Sequence, residues 1–113
     1  MRIAYLTLDE VNRDFAARCA AAAGVELESF AQCEALEPFD AVVYDLDFLP
    51  PDSRAGLVAA PATAGSRALI AVHGYNLSSG QRRRLRRRGA VVARRLSSAL
   101  FARLAAAAAA LPA

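Results

Sequence analysis

At 113 residues the chain has room for one hydrophobic core and little for a second, and its 56% hydrophobic content supplies that core, with alanine making up much of it. No apolar run reaches the roughly 18 residues of a membrane span, and the Met-Arg-Ile-Ala start lacks the basic-then-apolar order of an export signal, so a single soluble, cytoplasmic domain over residues 1–113 is expected. Cys19 and Cys33 have no CxxC spacing and His73 is the lone histidine, which argues against structural zinc and a dithiol redox motif.

Charge is divided along the chain. All 11 acidic residues fall between Asp9 and Asp52, so residues 1–53, with three arginines, carry a net charge of −8. Residues 54–113 hold eleven arginines and no acid, a net of +11. Every basic residue is arginine; there is no lysine.

Taken in chain order, residues 2–8 form an apolar run suited to a buried strand. Asp9 can cap a helix in which Val11, Phe15, Cys19 and Ala22 or Ala23 recur at helical spacing, and Gly24 ends it. Residues 25–30 alternate like a strand near a sheet edge, and residues 32–36 make at most a short helix before Pro38. Residues 39–46, with Ala-Val-Val-Tyr at the centre, read as the most deeply buried strand. Pro50, Pro51 and Asp52 make a turn, and residues 56–60 a brief helix before Pro61. A fourth strand covers residues 68–73. Ser78 or Ser79 caps a helix through Arg88 that Gly89 terminates, and residues 90–94 form a fifth strand. Ser97 or Ser98 opens a last helix through the alanine tract to Leu111. Both cysteines fall at apolar positions and are expected in the core. Five strands alternating with about five helices predict an α/β fold of flavodoxin-like (βα)5 type: a doubly wound, five-stranded parallel sheet between two helical layers.

Two segments go beyond fold class. Asp40-Ala-Val-Val-Tyr-Asp45-Leu-Asp47-Phe-Leu-Pro50 resembles the third strand of response-regulator receiver domains (the CheY-like family), which ends in a phosphoacceptor aspartate followed by an apolar residue and a proline. Leu85-Arg-Arg-Arg-Gly89-Ala90 is similar to the end of that family's fourth helix, and Val11, Arg13, Phe15, Cys19 and Gly24 match its first helix without a gap. The resemblance spans essentially the whole chain.

It implies phosphoryl transfer to Asp45, with acidic residues holding magnesium and a lysine and a hydroxyl receiving the phosphoryl group. The sequence departs from that pattern at most points. In the ungapped match Thr7 and Leu8 stand where the magnesium-holding acids belong; a shift of one or two residues brings Asp9 and Glu10 there instead. His73 replaces the hydroxyl residue, Ala93 the switch aromatic, and Arg94 or Arg95 is the nearest substitute for the missing lysine. Arginine's planar fork does not replace an ammonium group geometrically. Asp9, Glu10, Asp47, His73 and Arg94 are therefore the candidate neighbours of a degenerate acceptor position at Asp45. The expected protein is a pseudo-receiver, non-enzymatic and without a cofactor; magnesium enters only under the alternative of a divergent but phosphorylatable receiver. Asp45 and Asp47 are equally readable as solvent-facing strand-end carboxylates, and His73 as a structural residue.

The run Arg82, Arg83, Arg84, Leu85, Arg86, Arg87, Arg88 is the second candidate site. It has no interleaved aromatics for base stacking and no apolar face for a membrane. Protein contact ranks first, a solvated face anchored by Leu85 second, and nucleic acid third. The resemblance implies a partner or homodimer face made by the fourth helix, fifth strand and fifth helix.

Overall fold

Alternating apolar residues buried on both sides organise the molecule around one sheet. A computed structural model describes residues 1–31, 39–49 and 69–110. In chain order these hold β1 (Arg2–Leu6), α1 (Glu10–Ala23), β2 (Glu26–Phe30), β3 (Ala41–Asp45) with a 3-10 turn at Leu46–Phe48, β4 (Leu69–His73), α2 (Ser79–Arg87), β5 (Val91–Ala93) and α3 (Ser98–Ala109). All strand pairs are parallel and the order is β2-β1-β3-β4-β5, the flavodoxin-like arrangement. The helices expected at 32–36 and 56–60, the turn at Pro50–Asp52, and Cys33 lie outside the described residues. So α2 and α3 are the helices that the sequence numbers fourth and fifth.

Each strand sends successive side chains to opposite faces. One face carries Ala4, Leu6, Val42, Tyr44 and Val72, packed with Leu85 of α2. The other carries Ile3, Tyr5, Val43 and Ala71 under Ala16, Cys19 and Ala20 of α1 and Leu100, Phe101 and Leu104 of α3. β3, central in the sheet, is buried along its whole length, as a parallel strand covered on both sides must be.

The capping expectations at the helix ends hold. Asp9 accepts the Asn12 backbone N–H at 2.9 Å, and Gly24 closes α1 with φ 74°, a conformation that favours glycine. Ser78 and Gln81 form a reciprocal capping box at the start of α2, and Gly89 follows that helix with φ 88°. Ser97 occupies the cap position of α3 without a side-chain hydrogen bond.

The expected core stripe of α1 is corrected. Cys19 is buried, but Val11 is 73% and Phe15 42% exposed, and the inward residues are Ala16, Cys19 and Ala20. Small side chains let α1 lie close to the sheet and to α3, and the same face brings Asn12 over the end of β3. Phe15 instead lies beside the Arg18 guanidinium, 6.0 Å from ring to carbon. β1 also stops at Leu6, two residues early, because the Thr7 and Leu8 N–H groups bond to Phe30 and Phe48 carbonyls outside the strand ladder. Leu46, read as strand, is buried in the 3-10 turn.

Candidate functional site

Strand register assembles the site. Asp45 pairs with His73, and Tyr5 with Val43, so Tyr5, Asp45 and His73 project from the carboxyl ends of β1, β3 and β4 to the face that α1 and α3 cover. This is the edge where such folds bind ligands, at the point where strand order reverses. Thr7 follows β1, and Asn12 reaches in from the first turns of α1.

These five side chains form one network. Asp45 Oδ2 accepts the Thr7 hydroxyl at 2.8 Å and the Asn12 side-chain amide at 2.8 Å, with the Tyr5 hydroxyl at 3.4 Å. The Tyr5 hydroxyl lies 2.7 Å from His73 Nε2, and the two rings stack with centroids 5.6 Å apart and planes 17° from parallel. Asp45 Oδ1 is buried without a hydrogen bond and sits 3.9 Å from His73 Nδ1. Asp45 is 0% and His73 3% exposed.

Burial sets the protonation of the partners. Burial pushes the Tyr5 hydroxyl far above its ordinary value, and the Asp45 charge and hydrogen bond push the same way. Burial also lowers His73 below 6.5, against the opposing pull of Asp45 and then Asp47. Tyr5 therefore stays protonated and His73 neutral near pH 7. Two arrangements fit the 2.7 Å contact: Tyr5 donates to Nε2 with the imidazole proton on Nδ1, beside Asp45 Oδ1, or Nε2–H donates to the Tyr5 oxygen and the Tyr5 proton goes to Asp45 Oδ2.

The remaining candidates are placed as follows. Asp9 is occupied as the cap of α1, while its own N–H donates to the Thr7 hydroxyl at 3.0 Å. Glu10 points outward, its side chain 86% exposed, 3.8 Å from Arg13. Asp47 ties the loop after β4, accepting the Tyr75 N–H at 2.8 Å and the Asn76 amide at 3.3 Å. Arg94 is exposed immediately after β5. Thr7, not Asp9 or Glu10, thus stands against Asp45. Tyr5 and Asn12 escaped the sequence reading: Tyr5 looks like one more apolar residue of a buried strand, and only its parity with Asp45 in the paired sheet could have flagged it.

The residues around Asp45 do not fit a magnesium ion. Thr7 and Asn12 direct neutral donors at Oδ2 where a cation would be met by further carboxylates, and no group of three His, Cys, Asp or Glu side chains among the described residues could hold a metal. The arrangement instead buries a carboxylate under hydrogen bonds.

On α2, Leu85 alone is buried; Arg83, Arg84, Arg86, Arg87 and Arg88 are exposed. Arg82 is half-buried, and its guanidinium donates to the Leu77 carbonyl at 3.3 Å and the Ser79 hydroxyl at 3.4 Å.

No protein-family model matches the sequence, and no curated protein matches it. Solved structures do resemble it. A putative pilus assembly-related protein from Burkholderia pseudomallei superposes with a TM-score of 0.74 at 17% identity, over 97% of this chain and 90% of that one. An orphan response regulator of H. pylori gives 0.66 at 16% identity, over 94% of each chain. A signal receiver domain of a two-component histidine kinase from Clostridium thermocellum gives 0.65 at 8% identity, over 97% and 98%. Together with the all-parallel 2-1-3-4-5 sheet, these likenesses show that the chain has the fold of a receiver domain.

Proposed function

We propose that this chain is a receiver-like interaction domain of signal transduction, spanning residues 1–113, that works in the cytoplasm by protein contact and without a phosphorylation cycle. One observation carries the reading: Asp45, at the acceptor position, is wholly buried and capped by neutral donors. An acceptor carboxylate must meet an incoming phosphoryl group, and the charge that arrives must be neutralised. Here Thr7 and Asn12 occupy one oxygen, the other is enclosed beside His73, and the chain contains no lysine. The densest exposed positive charge lies elsewhere, on α2, which is the surface we assign to partner binding.

Incubation with acetyl phosphate and magnesium, or with beryllofluoride, is expected to leave the intact mass and the amide spectrum unchanged. An adduct that disappears in Asp45→Asn would overturn the proposal in favour of a divergent phosphoacceptor. That second reading has one observation behind it, the unpartnered Oδ1 of Asp45 at the ligand-binding end of β3.

A further inference from the structure

The arginines of α2 stand in three like-charged pairs at i,i+4 spacing: Arg82 with Arg86, Arg83 with Arg87, and Arg84 with Arg88. Each such pair costs an isolated helix about 0.2–0.5 kcal/mol. Among the described residues, the ion pairs of arginine lie elsewhere, Arg2 with Glu26 and Glu28 and Arg13 with Glu10. No acid occurs after Asp52 to relieve the repulsion locally. Ser79, Arg82, Arg83, Arg86 and Arg87 border one shallow groove along the helix. Arg82 is already held at its start by Leu77 and Ser79, so that guanidinium is ordered before any partner arrives.

A two-fold dimer through this face would set arginine against arginine, since an isologous contact places the same patch on both copies. On a second copy, Glu10, Glu26 and Glu28 already face Arg13 and Arg2, which leaves Asp14 as the exposed acid of α1 without an ion pair among the described residues. A long polyanion fits less well than a short one. α2 is only about 13 Å long, on a molecule of 33 × 30 × 26 Å. The groove also offers no aromatic ring for bases.

We infer that the arginine face of α2 docks a short acidic segment of a different protein, a helix or strand whose Glu and Asp carboxylates take the guanidinium forks. The inference rests on the contact-only reading above and names its partner's chemistry. With Leu85 turned inward, the contact lacks an apolar anchor, so it is electrostatic and strongly salt-dependent.

The test measures anisotropy of a labelled polyglutamate peptide of about ten residues against the full chain, beside a labelled DNA duplex. Binding of the peptide at ~50 mM salt should weaken by about tenfold or more at ~200 mM and in the triple variant Arg83→Gln, Arg86→Gln, Arg87→Gln. Circular dichroism checks that the variant, altered only at exposed positions, stays folded. No peptide binding at low salt, or binding that the triple variant retains, overturns the inference. DNA bound about tenfold tighter than peptide at the same salt replaces it with a nucleic-acid surface. A wild-type dimer by sedimentation that the triple variant abolishes replaces it with self-association. Phosphoryl labelling of Asp45 is scored separately: labelling with intact peptide binding sinks the contact-only reading, and no labelling with no peptide binding sinks this inference alone.

Discussion

Replacing Asp45 by alanine and by asparagine separates the two ways its buried carboxylate can matter. Alanine removes the acceptor of two 2.8 Å hydrogen bonds and strands the Thr7 hydroxyl, which is buried, and the Asn12 amide, which is half-exposed and can turn to water. A stranded buried donor costs about 1–3 kcal/mol. Counting Thr7 in full and Asn12 in part, and allowing for the desolvation cost that goes with the charge, Asp45→Ala should lose about 2–4 kcal/mol. Asparagine keeps one oxygen for both donors and puts an amide where Oδ1 has no partner, 3.9 Å from His73 Nδ1, so that a small side-chain shift closes a hydrogen bond once the imidazole proton moves to Nε2. Asp45→Asn should therefore stay within about 1 kcal/mol of wild type. Urea denaturation followed by far-ultraviolet circular dichroism measures both, provided the slopes agree. Equal losses in the two variants would refute the account, because the negative charge would then be what the site requires. A loss below about 1 kcal/mol for alanine would show that the network is incidental.

Three further outcomes follow from the same structure. Because burial lowers His73 below 6.5 in the fold, the unfolded chain takes up its proton first; this contribution is complete above about pH 6.5 and is lost as pH falls towards the folded value. Urea midpoints at descending pH should show the loss in wild type and a flatter profile in His73→Gln. Val11→Ser and Phe15→Ser should each change stability by less than about 1 kcal/mol, whereas Leu85→Ala, at a fully buried position, should cost about 2–5 kcal/mol, read from the same midpoints. Ser78→Ala breaks the capping box of α2 and should cost about 1 kcal/mol, with a matching loss of helical signal on mild heating.

The strands were legible because a sheet buried on both faces demands continuous apolar runs, and glycine at 24 and 89 is what a left-handed helix exit favours. The face of α1 was not. Val11 and Phe15 carry the hydrophobic signal, yet the helix turns its alanines inward, because close approach to α3 rewards small side chains more than large ones. Periodicity weighs hydrophobicity and ignores how near the neighbour stands. The site was half legible for a related reason. Asp45 and His73 stand out as polar residues closing apolar strands, but Tyr5 belongs to the network only through strand pairing far apart in sequence. Nor could spacing decide between Thr7 and Asp9: that choice is made where β1 ends and Asp9 is claimed by the cap of α1.

The division of charge then takes on a structural sense. Most described acids that the receiver likeness would recruit hold the scaffold together instead. Asp9 caps α1, Asp40 accepts the Arg2 N–H at 2.8 Å, Asp45 binds β1 to α1 through Thr7 and Asn12, and Asp47 secures the loop after β4. On the proposed reading, the donors that hold these carboxylates compete with any cation or phosphoryl group for the same oxygens. The arginines of α2 are the reverse case. Apart from Arg82, their side chains make no hydrogen bond or ion pair among the described residues, repel one another, and are exposed. Charge that the fold does not use, kept at a cost to helix stability, is available for recognition. In this chain most of that charge is positive, and its densest cluster lies on α2.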